Sequence, residues 1–409
     1  MKTKNTSKSV FYISLVIVFV IAAWGLVAGE NFANLANKLM AFLQVNFGWL
    51  YLLSMFIFVL VALFLGFSKY GKIKLGPDDS EPEYSTVSWF AMLFGAGMGI
   101  GLVFWGVAEP ISHLVSHSQP GSSEAATFAM NASFKHWGFH PWANYSIIGL
   151  ALAYFQFRKG YPGLVSSIFV PLLGEERVRG PIGKTIDILA VFATVAGVAT
   201  SLGLGTMQIN SGMNYVFGLP INAYVQIGII AVITVLYIGT AVAGIEKGIK
   251  LLGDINLYLA GGLILLTFLV GPKLMMMNAF SEGLGTYLNN FVVDSLHLNI
   301  IGDNSWVNGW TVFYWAWWIS WSPFVGIFIA RISKGRTIKE FILGVLLVPT
   351  ILTFLWISVF GGSAIYQELI GNSTITDAVN ENIATAIYHL LEQYPLTTFA
   401  SIVTVLLVA

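Results

Sequence analysis

Apolar stretches of roughly 20 residues recur from one end of the chain to the other, and nothing else in it constrains the fold so strongly. We read them near residues 10–27, 49–67, 87–107, 137–157, 186–207, 220–243, 254–272, 308–330 and 341–361, with a tenth beginning near Pro395. Each full stretch is long enough to cross a hydrocarbon core of about 30 Å as a helix. Inside that core only helices and closed barrels can pair all their backbone groups. The chain is 56% hydrophobic and 10% charged over 409 residues, against about 25% charged in a soluble domain. It is therefore expected to be an all-α polytopic membrane protein. The absence of cysteine excludes disulfides and thiolate chemistry, and a formal charge of zero suggests no nucleic-acid partner.

Orientation follows from the basic residues, which cytoplasmic loops retain during insertion. With the N-terminus inside, only Lys38, Lys135 and Lys273 of the 20 Lys and Arg lie outside, which leaves 17 in the cytoplasm, among them Lys2, Lys4, Lys8, Lys247 and Arg331. The first span follows Lys8 and is long, so it is expected to remain as a helix rather than be cleaved as a signal peptide. The last stretch, "TTFASIVTVLLVA", stops at Ala409 within an apolar run, and the chain is expected to continue past it. Between the seventh and eighth spans, Met277, Phe280, Leu284, Leu288 and Phe291 recur at spacings of three and four. That stripe predicts an amphipathic helix, either packed in a loop or lying along the outer membrane face.

Two stretches carry chemistry. In "FGAGMGIGLVFWG", Gly95, Gly97, Gly99 and Gly101 alternate inside the third span. Each glycine weakens a helix by roughly 1 kcal/mol relative to alanine, so a break is expected there, beside a cavity rather than lipid. The competing reading is close helix packing through the small-xxx-small pair Gly97 and Gly101. A dinucleotide fingerprint is excluded, because no strand precedes the glycines. In "FYWAWWISW", residues 313–321, four tryptophans and a tyrosine occur without a charge. At about 100° per residue, Trp310, Phe313, Trp317, Trp321 and Phe324 fall within roughly 80° of one another, with Trp318 on the flank. Trp317 and Trp318 lie about 15 Å from either interface, too deep for an interfacial belt. A plain aromatic core is one reading. The other is a cradle for a quaternary ammonium, which cannot donate N–H hydrogen bonds but is attracted to π faces by about 0.5–2 kcal/mol per ring. A carboxylate on the same solute could meet backbone N–H groups at the glycine break.

The stretches "AGMGIGLVFWGVAEP", "FKHWGFHPWANY" and "FYWAWWISWSPFVGIFIARISKGR" resemble the betaine/carnitine/choline transporter family, and the resemblance runs from the first span to Ala409. It implies an inverted five-helix repeat transporter fold (LeuT-like) of twelve helices, truncated here within the second repeat. Residues 1–86 would hold spans 1 and 2, 87–272 the first repeat, 273–305 the amphipathic linker and 306–409 the incomplete second repeat. It further implies a homotrimer in the bacterial cell (inner) membrane that imports glycine betaine or a related trimethylammonium osmolyte by alternating access. Sodium would be the coupling ion and no cofactor is needed. The alternative is a sodium-independent exchanger of carnitine- or betaine-type compounds. By the same resemblance Trp137 and Tyr145 of span 4 and Phe313, Trp317, Trp318 and Trp321 of span 8 form the substrate box, with Gly97, Met98, Gly99 and Gly101 contributing nearby. Sodium ligands would come from Gly95 and Met98 and from Thr194 and Phe324. One turn beyond Thr194 this chain has Val198, where a second threonine is often found.

The remaining polar residues read more plainly. His113 with His117, and His136 with His140, have the i, i+4 spacing of metal ligands but are expected to be ordinary interface histidines. Glu109 is expected to end span 3 at the surface, and Asp187 to pair with basic loops. No nucleophile, base and orienting group occur in a catalytic pattern, so an enzyme is not expected.

Overall fold

The computed structural model describes residues 6–97, 99–243, 250–371 and 373–409. In chain order the helices are α1 (Thr6–Val27), α2 (Gly29–Phe67), α3 (Thr86–Gly97), α4 (Ile100–Ser116), α5 (Ser123–Trp137) and α6 (Phe139–Ala153). Then come α7 (Val170–Leu173), α8 (Glu175–Arg179), α9 (Pro181–Phe217), α10 (Ala223–Ala243), α11 (Lys250–Val270) and α12 (Lys273–Leu296). Last are α13 (Phe313–Ile332), α14 (Ile338–Leu369), α15 (Ile375–Glu381), α16 (Ala386–Glu392) and α17 (Thr397–Val408). Among the described residues there is no strand, only an isolated antiparallel bridge between Lys74 and Thr337. Among the described residues, six helices are long and apolar enough to cross a membrane, and many of the side chains they expose are apolar, as lipid requires.

Several boundaries differ from the hydropathy reading. The second span starts at Gly29, not near residue 49, and α2 runs 39 residues, roughly 58 Å at 1.5 Å per residue. Polar residues such as Glu30, Asn34 and Lys38 hid its first half, although a helix longer than the core can carry them outside it. The third span is two helices, interrupted after Gly97 and resumed at Ile100, and it continues to Ser116. Trp137, assigned to the fourth span, ends the preceding helix α5 instead. Lys2, Lys4, Met98 and Lys247 lie outside the described residues.

The chain divides into two compact units, each assembled from three separated segments. The first comprises Met1–Ser85, Phe139–Ala199 and Val292–Leu346. At its centre α6 packs against both α2 and α13. The α2 face is buried at Gly48, Leu52, Met55, Val59, Ala62 and Gly66, spacings of three and four that give one helical stripe. Helices α6 and α13 approach backbone to backbone where Gly149 meets Gly326: a Cβ on Gly326 would lie 3.3 Å from Gly149 N and 2.8 Å from Ile148. That is the close crossing that small residues permit in membranes.

At one end of this unit the α13–α14 turn is docked on the segment that follows α2. Leu75 N donates to Arg336 O, Gly335 N to Leu75 O and Ile338 N to Ile73 O at 2.8–2.9 Å. Gly335 has a φ of +84°, and any side chain there would collide with the Glu81 backbone. Asp187 is held by the Ser166 N–H and hydroxyl, both at 2.9 Å, rather than by a basic loop.

The second unit comprises Thr86–Gly138, Thr200–Phe291 and Leu347–Ala409. Here α4 and α5 form a hairpin, and α4 packs on α15, α16 and α17. Glycines again set the approaches, since a Cβ on Gly106 would meet the Trp356 indole at 2.5 Å and one on Gly361 would meet Pro110 at 2.6 Å. The amphipathic helix forms as α12, but its packed face is turned from the expected stripe. Met276, Ala279, Gly283 and Tyr287 are buried, while Met277 and Leu288 are exposed. Gly283 seats the Phe134 ring, which itself stacks on Phe354 at 4.0 Å between centroids. Size at one buried position, rather than apolar periodicity, selects the face.

Candidate functional site

The aromatic residues of the first unit are positioned by the α6–α13 crossing. Tyr145 lies one turn before Gly149, and Trp318 lies two turns before Gly326, so the crossing that joins the glycines also brings these rings together. Their centroids are 5.5 Å apart at 73°, edge to face, the arrangement that the ring quadrupoles favour. Trp142 meets Tyr145 at 5.6 Å, and Asn144 Nδ2 donates to Trp318 O at 3.0 Å, which ties the two helices at the same level. Along α13, Trp317 neighbours Phe313 at 6.5 Å and Trp318 at 6.0 Å, and Trp321 neighbours Phe324 at 5.7 Å. Pro323 within α13 has no N–H for the Ile319 carbonyl, and Ser322 Oγ donates to that oxygen at 2.8 Å instead. The helix therefore continues through its proline.

Three details correct the expected stripe. Residues 307–312 form a π turn ahead of α13, so the 100° count does not carry back to Trp310, which stacks on Tyr314 at 6.3 Å. Trp315, on the other side of α13, is fully buried and stacks on His140 at 5.1 Å. Trp321 is seated on the α9 backbone: a Cβ on Gly197 would lie 3.0 Å from its Cδ1 and 3.1 Å from its Nε1. Gly197 stands one residue from Val198 and three from Thr194, so α9 meets α13 at the level of the suggested second sodium site. The Thr194 hydroxyl donates to Ala190 O at 2.8 Å, and the lone pairs of its oxygen are suited to a cation. Val198 offers no side-chain oxygen, and Phe324 is 45% exposed.

In the second unit the glycine motif does interrupt the helix. Gly99 is extended, with φ −94° and ψ −161°, and α4 starts at the next residue. Gly97 ends α3, Gly101 lies in the first turn of α4, and Met98 lies outside the described residues. A helix start turns backbone N–H groups outward. A Cβ on Gly205 of α9 would meet Ile100 at 2.7 Å, and Gln208 Nε2 donates to Val103 O at 3.2 Å, so α9 supports this start. Gly95 faces α11, with Gly253 Cα 3.8 Å from its Cβ direction.

Glu109 does not end a helix at the surface. It is fully buried on α4, together with His113 one turn on and His136 of α5. Its Oε1 lies 3.2 Å from His113 Nε2 and 2.6 Å from His136 Nδ1, and its Oε2 accepts the Trp137 indole N–H at 2.7 Å. The i, i+4 histidine pairs are not the units that form. His117 accepts from Gln119 N, and His140 hydrogen-bonds Ser295 Oγ at 2.7 Å. Donor atoms of Glu109, His113 and His136 lie within 4.8 Å of one another and could hold a metal ion. The 2.6 Å separation is that of a charge-assisted hydrogen bond, whereas ligands of a tetrahedral zinc about 2.0–2.1 Å from the metal would stand farther apart. Sequence reasoning missed this cluster because His136 is 27 residues from Glu109; the local signal was Glu109 one turn before His113 in an apolar span.

The apolar helices of span length, with no strand among the described residues, define a polytopic all-α membrane protein. Among known proteins, the family described as BCCT, betaine/carnitine/choline family transporter, matches residues 9–409, and the chain belongs to that family. Its members are transporters, not enzymes. The chain is 49% identical over 409 residues to a probable glycine betaine transporter of Desulfitobacterium hafniense, covering 100% of this chain and 81% of that protein. It is 51% identical over 406 residues to the glycine betaine transporter OpuD of Bacillus subtilis, covering 98% and 78%. An ectoine/hydroxyectoine transporter of Virgibacillus pantothenticus is 44% identical over 412 residues, covering 100% and 82%.

Proposed function

We propose that this protein imports glycine betaine, driven by sodium, through alternating access in an inverted-repeat fold. The observation that carries the reading is the set of uncharged rings on α6 and α13, centred on the Tyr145–Trp318 pair. A trimethylammonium group would be held there by cation–π attraction, with Phe313, Trp317 and Trp321 adding rings; the family resemblance assigns Trp137 as a further substrate ring. The substrate carboxylate would be met by backbone N–H groups near Gly97, Gly99 and Gly101. Two relatives whose names state glycine betaine, at about half identity, support this substrate. The protein would work as a trimer in the bacterial cell membrane with its N-terminus in the cytoplasm.

Betaine has no net charge, so the ion must supply the drive, about 2.3 kcal/mol per 100 mV for each sodium. Thr194 supplies a hydroxyl for one ion, and carbonyls near Gly95 and Met98 serve another. Val198 leaves the first of these short of an oxygen, so sodium dependence should have a Hill coefficient near one. The same valine favours a second reading, sodium-independent exchange. Uptake of labelled betaine into proteoliposomes, with and without a sodium gradient, a potential and internal betaine, separates them. Uptake indifferent to sodium and voltage but dependent on internal betaine would replace the first reading by the second.

A further inference from the structure

Trp137 is the last residue of α5, and the chain bends immediately after it. Gly138 cannot carry a side chain, because a Cβ there would meet Phe134 O at 2.6 Å, Tyr287 Oη at 2.7 Å and Phe354 Cζ at 3.0 Å. The polar edge of this ring is fixed by the Glu109 carboxylate, whose Oε2 accepts the indole N–H at 2.7 Å. The carboxylate is held in turn: an ionised carboxylate only accepts, so His113 Nε2 and His136 Nδ1 direct their protons at Oε1, at 3.2 Å and 2.6 Å. All four groups are at most 3% exposed. So short and dry a set of hydrogen bonds fixes the indole plane more firmly than packing alone. An anion on the N–H edge of an indole also makes the ring face more negative, the property that a bound cation senses.

The sequence alone placed no carboxylate beside the candidate rings; the structure places one on Trp137. We propose that Glu109 is a positioning and specificity-determining residue, which holds Trp137 by its N–H and tunes the ring toward quaternary ammonium groups, with His113 and His136 orienting the carboxylate. This inference rests on the reading of Trp137 as a substrate ring. It predicts that Glu109 acts through one N–H, so its effect disappears when that N–H is absent.

The test is a double-mutant cycle in proteoliposomes on the intact chain, with Glu109→Gln, Trp137→Phe and the pair, beside Trp137→Leu. The KM and kcat for glycine betaine are measured at matched protein abundance. Competition by 3,3-dimethylbutanoate, the uncharged-carbon analogue of betaine, is measured alongside. Glu109→Gln and Trp137→Phe should each raise KM about tenfold with kcat changed less than about twofold, and each should narrow the preference for betaine over the analogue. The double variant should be no worse than Trp137→Phe. Multiplying effects, or equal losses for betaine and analogue, would overturn the proposal and leave Glu109 a packing group. If Glu109→Gln does not fold, Trp137→Phe, which keeps the carboxylate buried, still decides: an unchanged betaine preference refutes the tuning. Failure of the underlying reading is distinct, because Trp137→Leu would then also leave KM unchanged.

Discussion

The two units of this protein place polar function in an apolar surrounding by opposite means. The first unit uses rings and almost no charge: Tyr145, Trp318 and their neighbours are packed by a glycine crossing, and the hydrogen bonds at that level are neutral ones, such as Asn144 to Trp318 O. The second uses backbone and charge. Its helix is broken at Gly99, and a buried carboxylate is surrounded by two imidazoles and an indole. A ring surface tolerates small displacements, because dispersion and quadrupole attraction vary gently with position. A buried carboxylate does not, since one lost partner leaves a charge that burial penalises by several kcal/mol. Single substitutions should therefore cost less per group removed in the first unit than at the second unit's carboxylate.

That contrast can be broken most directly at Trp315. Trp315→Leu empties part of a fully buried ring site against His140 and should lower stability by about 3 kcal/mol, seen as a loss of abundance and of melting temperature in detergent. If Trp315→Leu melts like the parent, the first unit is softer than its packing indicates. In the second unit, Gly138→Ala should cost about 1–3 kcal/mol, because the obstructing Phe134 carbonyl is backbone and cannot turn away. Normal folding of that variant would mean that the α5–α6 bend is adjustable.

Next in size is Trp321→Leu, expected to weaken betaine binding by about 1–2 kcal/mol as measured by calorimetry. Gly197 lies against the same indole, so Gly197→Ala should shift binding in the same direction by less; an effect larger than that of Trp321→Leu would reassign this contact from binding to packing. Gly101→Asp would put a carboxylate at the glycine break, and choline uptake relative to betaine should then rise, since choline brings no carboxylate of its own. Competition assays on parent and variant test it, and equal ratios would end the idea. The smallest effect belongs to the first unit's exterior. The Arg158 guanidinium hydrogen-bonded to Asp78 holds that carboxyl below its usual 3.8. Its contribution is present above that value and disappears as pH falls through the lower folded one. The stability difference between parent and Arg158→Gln should therefore shrink at acid pH in a melting series.

Much of the fold is legible in the sequence because apolar runs of span length leave the backbone no alternative to a helix. The break at Gly97–Gly99 and the ring-bearing face of α13 are legible for the same local reason. What escapes is what needs a partner from far along the chain. Glu109 reads as a helix end until His136 is known to lie against it. The packed face of α12 depends on Gly283 fitting Phe134, which no periodicity of apolar residues contains. The start of α2 was missed because hydropathy reports where lipid lies, not where a helix ends.

The main-chain docking of residues 335–338 on 73–75 has a mechanical consequence. Hydrogen bonds between peptide groups, with a left-handed glycine that admits no replacement, make the end of α2 and the α13–α14 turn a single stiff joint. A force that tilts the tryptophan-bearing helix would then be delivered to α2 as torque, and α2, at 39 residues, is longer than a hydrocarbon layer of about 30 Å and so has the length of a lever arm.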